Sequence, residues 1–324
     1  MRYKIDISHR TVIFIAVFIL SLWAVYLIRD LLLILFSAII LMSALSPLVD
    51  LLVKLKFPRT LSIAVTYVII VGILAVMLIS FVPPLLEQSS KLIINLPSYV
   101  GQIFNIAQID RTVFQSELTS LSHNILSITL AIFDNLLTII FLLVVTFYLL
   151  LEKDNLETRI SRLFGPRQKR VEELIVQIQD KLGAWLRGQL LLSIIIGVLS
   201  YIGLTFLNIP YALPLALVAG ALEVVPVIGP IISAIPAVIL AMTVSPVLAV
   251  GVAAMFFVIQ QLENHLIVPQ VMKRAVGLNP LVVILAIAIG GRLLGIAGAL
   301  LAVPIAVVLQ IVITEVIETN KGQA

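Results

Sequence analysis

The sequence contains no cysteine, only three histidines and few charged residues. Charged residues make up 12% of its 324 positions, whereas hydrophobic residues make up 61%. Soluble globular proteins carry roughly 25% charged residues and about 45–50% apolar ones. The absence of cysteine excludes disulfides, thiolate metal sites and cysteine nucleophiles, and three histidines are too few for a multi-histidine metal site. The composition argues against a water-soluble enzyme and predicts an all-α, polytopic transmembrane protein without a metal or cofactor.

Several enzyme signatures are also missing. The chain has no G-x-x-x-x-G-K-[ST] nucleotide loop, no H-E-x-x-H pair and no G-x-S-x-G elbow. We therefore expect a protein that is not an enzyme. The net charge of +4 is not taken as a sign of nucleic-acid binding, because basic residues collect on the cytoplasmic side of membrane proteins.

Long uncharged runs predict the membrane-spanning helices, since about 20 apolar residues are needed to cross the hydrocarbon core. Residues 1–86 are predicted to hold three spans, and 131–151 a fourth. Between them, 87–130 has scattered charge and helical apolar spacing, which predicts amphipathic helices outside the cytoplasm. A basic linker at 152–188, broken by Gly165-Pro166, leads into the C-terminal module at 189–324.

The distribution of Lys and Arg predicts the orientation. The N-terminal tail and the second loop each carry three basic residues and the 152–188 linker carries eight, whereas the alternate loops carry one and two. By the positive-inside rule the N-terminus is cytoplasmic. The first run lacks a small-x-small cleavage site and is expected to be retained as a span. We expect a multi-pass protein of a prokaryotic inner (plasma) membrane.

The C-terminal module is rich in proline and glycine at membrane depth. Segment 211–243, which contains VVPVIGP at 224–230, is too long for one crossing and short for two, so two half-length helices meeting at 225–230 are expected to form a re-entrant hairpin. Unpaired backbone is tolerated there only beside protein or a wet cavity. Segment 279–318 is broken at 290–298 and forms either two full spans or a second hairpin. Hairpins entering from opposite sides would make an inverted repeat.

Glu223 is the most informative residue, because it is the only charge between positions 188 and 262. A carboxylate at the centre of a membrane helix costs roughly 2.5–3.5 kcal/mol, and such residues are functional by default. Either it is a protonatable group on a solute path, or it caps a broken helix or pairs with a distant arginine. Arg292 could hold a polar or anionic solute, pair with Glu223, or extend to the interface.

Four polar residues end the span at 246–262. Gln260, Glu263 and Asn264 share one helix face at i, i+3 and i+4, and Gln261 lies beside them. They either line a cavity or mark a water-exposed helix end.

Several motifs together resemble the autoinducer-2 exporter family of bacterial and archaeal permeases. They occur in order along the C-terminal third as Glu223-x-x-Pro226-x-x-Gly229-Pro230, Gln261-x-Glu263-Asn264, Leu278-Asn279-Pro280, and Gly290-Gly291-x-x-x-Gly295-x-x-Gly298. The resemblance implies a multi-span permease whose members are linked to export of the furanone-type signal autoinducer-2. Other members are associated with sodium(lithium)/proton antiport, and members are thought to oligomerise.

The sequence thus predicts a secondary transporter that exports a small polar solute similar to autoinducer-2, coupled to protons, and sits among membrane lipids as a homo-oligomer without nucleic acid. Sodium(lithium)/proton antiport, a passive channel and a non-transporting scaffold subunit are the alternatives. The predicted solute and ion pathway consists of Glu223, Pro226, Gly229, Pro230, Gln260, Gln261, Glu263, Asn264, Gly290, Gly291 and Arg292.

Overall fold

A computed structural model of the chain describes residues 9–73, 136–226, 228–272 and 277–321, with a few positions between 75 and 91. These residues form helices and connecting turns, without a strand. The helices are α1 (His9–Leu27), α2 (Arg29–Lys54), α3 (Arg59–Ile73), α4 (Leu136–Arg162), α5 (Gln168–Phe206), α6 (Ala212–Leu222), α7 (Ile228–Val244), α8 (Pro246–Leu262) and α9 (Pro280–Lys321). A π-helical turn, Glu263–Ile267, and a short helix, Val268–Val271, follow α8.

Five of the helical segments are long and apolar enough to cross a membrane, as the described residues show. By length and composition they are Arg10–Leu27, Arg29–Lys54, Gly165–Phe206, Pro246–Val271 and Pro280–Glu318, the last of which is interrupted at Leu294 and Gly295. Their outer faces are apolar, and the helix α1 is exposed along its whole length. The protein is therefore an all-α, multi-pass membrane protein, as the composition predicts. The amphipathic helices expected at 87–130 lie outside the described residues, apart from three single positions.

A long continuous helix, α5, joins the basic linker to the membrane. A single 3-10 turn, Gly165–Arg167, separates it from α4, at the Gly-Pro pair where the sequence predicts a break. Gly165 has φ of 53°, a left-handed conformation that glycine adopts without steric cost. From there α5 runs unbroken to Phe206, so that its first half carries charge and its second half is apolar.

The segment α6–α7 is a helical hairpin, called hairpin 1 below (212–244). At 1.5 Å per residue α6 is about 16 Å long and α7 about 25 Å, both short of the roughly 30 Å hydrocarbon core. Residues 223–226 form the turn between them. Gly229 lies against the carbonyl of Leu222, so the two helices touch at the tip. This is the break that the proline pattern predicts.

The helix α9 is likewise folded back on itself and is called hairpin 2 below (280–321). Leu294 (φ −132°, ψ 15°) and Gly295 (φ 63°, ψ −143°) are not helical, and the backbones of Gly290 and Gly298 touch. The first limb, 280–293, is about 21 Å long and therefore too short to cross a membrane. Of the two forms that the sequence allows for this segment, the structure has the hairpin.

The two hairpins enter the bundle from opposite ends. Near the end of α5, Leu204 packs with Ile209 and Leu215 at the base of hairpin 1. Near the beginning of α5, Arg170 forms an ion pair with Glu315 close to the end of hairpin 2. The tip of hairpin 1 also contacts the other hairpin, since Val225 packs on the cluster formed by residues of α2, α5 and both limbs of hairpin 2. The bases of the two hairpins therefore lie near opposite ends of α5, and an inverted repeat across the membrane stays a prediction.

The helix α5 is fixed to α2 at a proline. Pro47 lies inside α2 and has no N–H to donate to the carbonyl of Ser43. The Arg187 guanidinium donates from Nη1 to the carbonyl oxygens of Ser43 at 3.2 Å and Ala44 at 3.1 Å. Gly183, one turn earlier on α5, lies directly against the Ser43 carbonyl. A side chain from one helix thus satisfies a carbonyl that proline leaves open in the other.

Candidate functional site: a buried carboxyl pair

Two glutamates meet where the tip of hairpin 1 lies beside the end of α8. Glu223 is the first residue after α6, and Glu263 begins the π-helical turn after α8. The two residues are 1% and 4% exposed, and their carboxyl groups lie close enough to interact with each other. The sequence places both residues on the predicted pathway but gives no sign that they touch, because α7 and α8 lie between them in the chain.

The π-helical turn aims Glu263 inward. Such turns carry an extra residue per turn and occur frequently at functional sites. Glu263 is buried here, whereas Gln261 and Asn264 on either side are exposed. Gln260 Nε2 donates to Glu263 Oε2 at 3.2 Å and is half-buried. Of the predicted polar group at the end of α8, two members therefore belong to the site and two face outward.

A third buried polar residue, Gln189 of α5, completes the site. Its side chain is 2% exposed, and its Nε2 donates to the backbone carbonyl of Glu223 at 2.6 Å. That carbonyl is one of the groups that the end of α6 leaves without a helical donor. Sequence reasoning missed this residue. The available signal was a lone amide in the apolar second half of α5.

The pair has a definite chemistry. An ionised carboxylate can only accept hydrogen bonds, so a bond between two carboxyl groups requires a proton on one of them. Two ionised carboxylates buried side by side are also strongly disfavoured. Glu223 Oε2 and Gln189 Oε1 are buried with no hydrogen-bond partner in the described residues. The arrangement can therefore take up or release a proton, and it offers free oxygen atoms to a polar ligand.

The proline and glycine residues of the predicted pathway shape the tip of hairpin 1. Gly229 permits the contact with Leu222 described above, and Pro230 is buried and accepts a hydrogen bond from Ser233 Oγ at 2.9 Å. Pro226 is half-buried in the turn. These residues position Glu223 rather than presenting functional groups of their own.

The predicted residues of hairpin 2 lie apart from the carboxyl pair. Gly290 and Gly291 permit the two limbs to pack closely, Gly290 against Gly298 and Gly291 against Ala299. Arg292 is exposed near the turn of hairpin 2, and none of the ion pairs within the described residues joins it to Glu223. The structure therefore does not support a pairing of Arg292 with Glu223; the partner of Glu223 is Glu263.

The site offers two carboxyl groups rather than a cluster of metal ligands. Within the part of the chain that the structure describes, no group of three or more His, Cys, Asp or Glu side chains converges. The donor atoms around the pair are the oxygens of carboxyl, amide and backbone groups, which suit protons and hard ions better than transition metals.

Comparison with known proteins agrees with this architecture. The family model described as AI-2E family transporter matches residues 12–318. YueF of Bacillus subtilis (strain 168), named as a transport protein, is 31% identical over 304 residues, which cover 85% of this chain and 81% of YueF. YrrI of the same organism, also named as a transport protein, is 31% identical over 273 residues, covering 78% of this chain and 77% of YrrI.

A relative with a more specific name is also similar. The AI-2 transport protein TqsA of Escherichia coli (strain K12) is 29% identical over 308 residues, which cover 90% of this chain and 85% of TqsA. The residues matched by the family model, 12–318, include both Glu223 and Glu263 and the tips of both hairpins. The chain belongs to the AI-2E transporter family of multi-pass membrane transport proteins.

Proposed function

We propose that this transporter exports a small polar solute of the autoinducer-2 type and couples the export to proton entry through the Glu223–Glu263 pair. The single observation that carries the proposal is the close approach of two buried carboxyl groups, Glu223 and Glu263, at a broken helix tip. Such a pair changes its charge when it gains or loses one proton. The two charge states of the pair differ in free energy inside the protein, because a charge is expensive to bury.

The coupling follows from the position of the pair. Glu223 is held at the tip of a hairpin by Gln189, and Glu263 by Gln260, so the two carboxyl groups come from elements that are separate in the chain. The shared proton joins these elements. Removing it places like charges side by side and favours separation of the hairpin tip from α8. A proton-dependent change of this kind is what a secondary transporter requires, since the chain has no nucleotide loop.

The proposed solute class is supported by the similarity to TqsA, which is named an AI-2 transport protein. We propose a location in the inner membrane of a prokaryote with the N-terminus in the cytoplasm, on the basis of the basic residues in the linker. We also propose that the exposed apolar faces of α1 contact lipid and neighbouring copies in a homo-oligomer.

Sodium(lithium)/proton antiport is the second candidate, and a specific observation favours it. Among the residues that the structure describes, the site presents oxygen ligands, and Glu223 Oε2 and Gln189 Oε1 are buried there without a hydrogen-bond partner. Hard oxygen ligands are those that small, hard cations prefer. This reading predicts that Na⁺ or Li⁺ added to vesicles dissipates a pH gradient with no organic solute present.

The experiment is transport by the purified full-length protein in liposomes under an imposed pH gradient, with autoinducer-2, Na⁺ and Li⁺ tested separately. Glu223→Gln and Glu263→Gln keep the shape of the pair but leave one titratable carboxyl, so no proton can be shared between two carboxyl groups, and each is expected to reduce gradient-driven transport at least tenfold. The matched control is Glu173→Gln, a change at an exposed carboxyl on α5. Gradient-driven flux that is unchanged in both site variants would exclude the proposed coupling.

A further inference from the structure

Two serines of α5 behave unlike the other buried hydroxyls in the described helices. The usual arrangement is a hydroxyl that donates to the carbonyl four residues earlier, as in Ser37, Ser43, Ser46, Ser62, Thr66 and Thr146. The Oγ atoms of Ser193 and Ser200 are buried but have no hydrogen-bond partner in the part of the chain that the structure describes. Neither hydroxyl therefore donates to the backbone of its own helix, as the other hydroxyls do.

These serines continue the line that begins at the carboxyl site. Gln189, Ser193 and Ser200 are spaced i, i+4 and i+11, and at about 100° per residue they lie within roughly 40° of one another on α5. The face that they share packs against hairpin 1. The carbonyl of Ser193 lies beside Gly220 of α6, and Leu204, one turn beyond Ser200, packs in the cluster that contains Leu215.

The unpartnered oxygens along this face carry a considerable energetic cost. A buried polar atom without a hydrogen bond costs about 1–3 kcal/mol. Gln189 Oε1, Ser193 Oγ, Ser200 Oγ and Glu223 Oε2 all belong to this class. Ligands that satisfy these four separate atoms must be small, and they must both donate and accept hydrogen bonds. Water meets both conditions, and buried water in proteins typically bridges polar groups of this kind.

We propose that water enters the seam between α5 and hairpin 1, and that Ser200, Ser193 and Gln189 guide a proton along it to Glu223. The proposal rests on the proposed proton coupling. Each water or serine hydroxyl accepts one proton on its oxygen and releases another to the next oxygen, so its charge is restored after each transfer. The Gln189 amide only orients water through its free oxygen. The route from Ser200 to Gln189 is about 16 Å long.

A close contact between the two helices lies between the two serines. There the backbones of α5 and α6 touch at Gly197 and Gly220. Gly197 is one turn from Ser193 and one turn from Ser200. The hydroxyls thus lie on either side of the contact, where each can bind the water that approaches it from its own end of the seam.

The absence of cysteine from the chain makes this route directly testable. Ser193→Cys and Ser200→Cys each introduce a single thiol of nearly the same shape as the serine. Thiols react as thiolates, which form where water reaches them. The control is Ser233→Cys in hairpin 1, because Ser233 is 1% exposed but its hydroxyl donates to Pro230. Each protein is treated in liposomes with Ag⁺ or a small methanethiosulfonate.

We expect the thiols at 193 and 200 to react at least tenfold faster than the thiol at 233. Equal rates at the three positions would overturn the proposed route. A second measurement uses Ser200→Ala, which should slow proton uptake at least tenfold, whereas Ser200→Thr retains it. Proton uptake at the wild-type rate in folded Ser200→Ala would also overturn the route.

Labelling requires neither a solute nor coupling, so the two proposals can fail separately. Fast labelling together with wild-type transport in Glu223→Gln would support the hydrated seam and remove the proton-coupling function. Slow labelling at positions 193 and 200, with transport lost in Glu223→Gln, would support that function and remove the seam as its route.

Discussion

The contact between Arg187 and the proline-containing helix α2 allows the loss of stability in an Arg187 variant to be predicted. Pro47 has no N–H, so the carbonyl of Ser43 has no donor within its own helix. Arg187 supplies the donor at 3.2 Å. Ser43 is only 5% exposed, and replacing Arg187 by Ala therefore leaves a buried carbonyl unsatisfied. That loss costs about 1–3 kcal/mol.

The same substitution should cost much less when the proline is absent. In Pro47→Ala the new alanine supplies an N–H to Ser43, so Arg187→Ala then removes a second donor rather than the only one. We expect its cost to fall to less than about 1 kcal/mol. The interaction free energy between the two substitutions is thus about 1–2 kcal/mol, within the range for residues that share a hydrogen-bond partner.

The assay is unfolding of the purified protein in detergent, followed by tryptophan fluorescence. The chain has two tryptophans, of which Trp185 is 4% exposed and Trp23 is 61% exposed. A Trp23→Phe background leaves the probe two residues from Arg187. Arg159→Ala, at an exposed arginine of α4, is the control for loss of charge. Equal destabilisation by Arg187→Ala with and without Pro47 would show that the arginine does not serve this carbonyl.

Two further substitutions test other parts of the structure. Gly229→Ala should destabilise the protein by about 1–3 kcal/mol or more through overpacking, because the new methyl group would overlap the Leu222 carbonyl. The control is Gly251→Ala, whose methyl group meets no described atom within 4 Å and which should unfold like wild type. Equal melting temperatures of the two variants would contradict the contact at the tip of hairpin 1. Burial raises the pKa of Glu157, so its ionisation costs stability as the pH rises above the ordinary carboxyl range. Glu157→Gln should therefore raise the melting temperature at pH 7 but not at pH 4, and the same gain in Glu173→Gln would point to general charge effects instead.

The two helix breaks could be predicted from the sequence because their causes are local. Proline removes a backbone donor wherever it occurs, and glycine alone readily adopts the dihedral angles found at Gly295. Pro226 and Pro230 therefore mark the tip of hairpin 1, and the glycines at 290–298 mark that of hairpin 2. The resemblance to a family follows from the same residues, since they form its recognisable motifs.

The position of the first half of α5 was also open to prediction, but its attachment to α2 was not. The basic residues of the linker and the Gly165-Pro166 break are visible in the sequence. The link between Arg187 and Ser43 depends on which helix lies beside α5. Many orders of packing are compatible with the same apolar runs, because lipid-facing and protein-facing surfaces are equally apolar.

The partner of Glu223 shows most clearly where sequence reasoning ends. By charge alone, Arg292 is the expected partner of the Glu223 carboxylate. The same criterion excludes Glu263 as a partner, because it carries the same charge. That reasoning assumes that both carboxyl groups are ionised. Once a proton is shared, two carboxyl groups attract through a hydrogen bond, and only the folded chain reveals that α6 and α8 end beside each other. The pairing of two carboxyl groups is thus the feature that allows the site to exchange a proton. An ion pair with arginine would instead hold the carboxylate ionised.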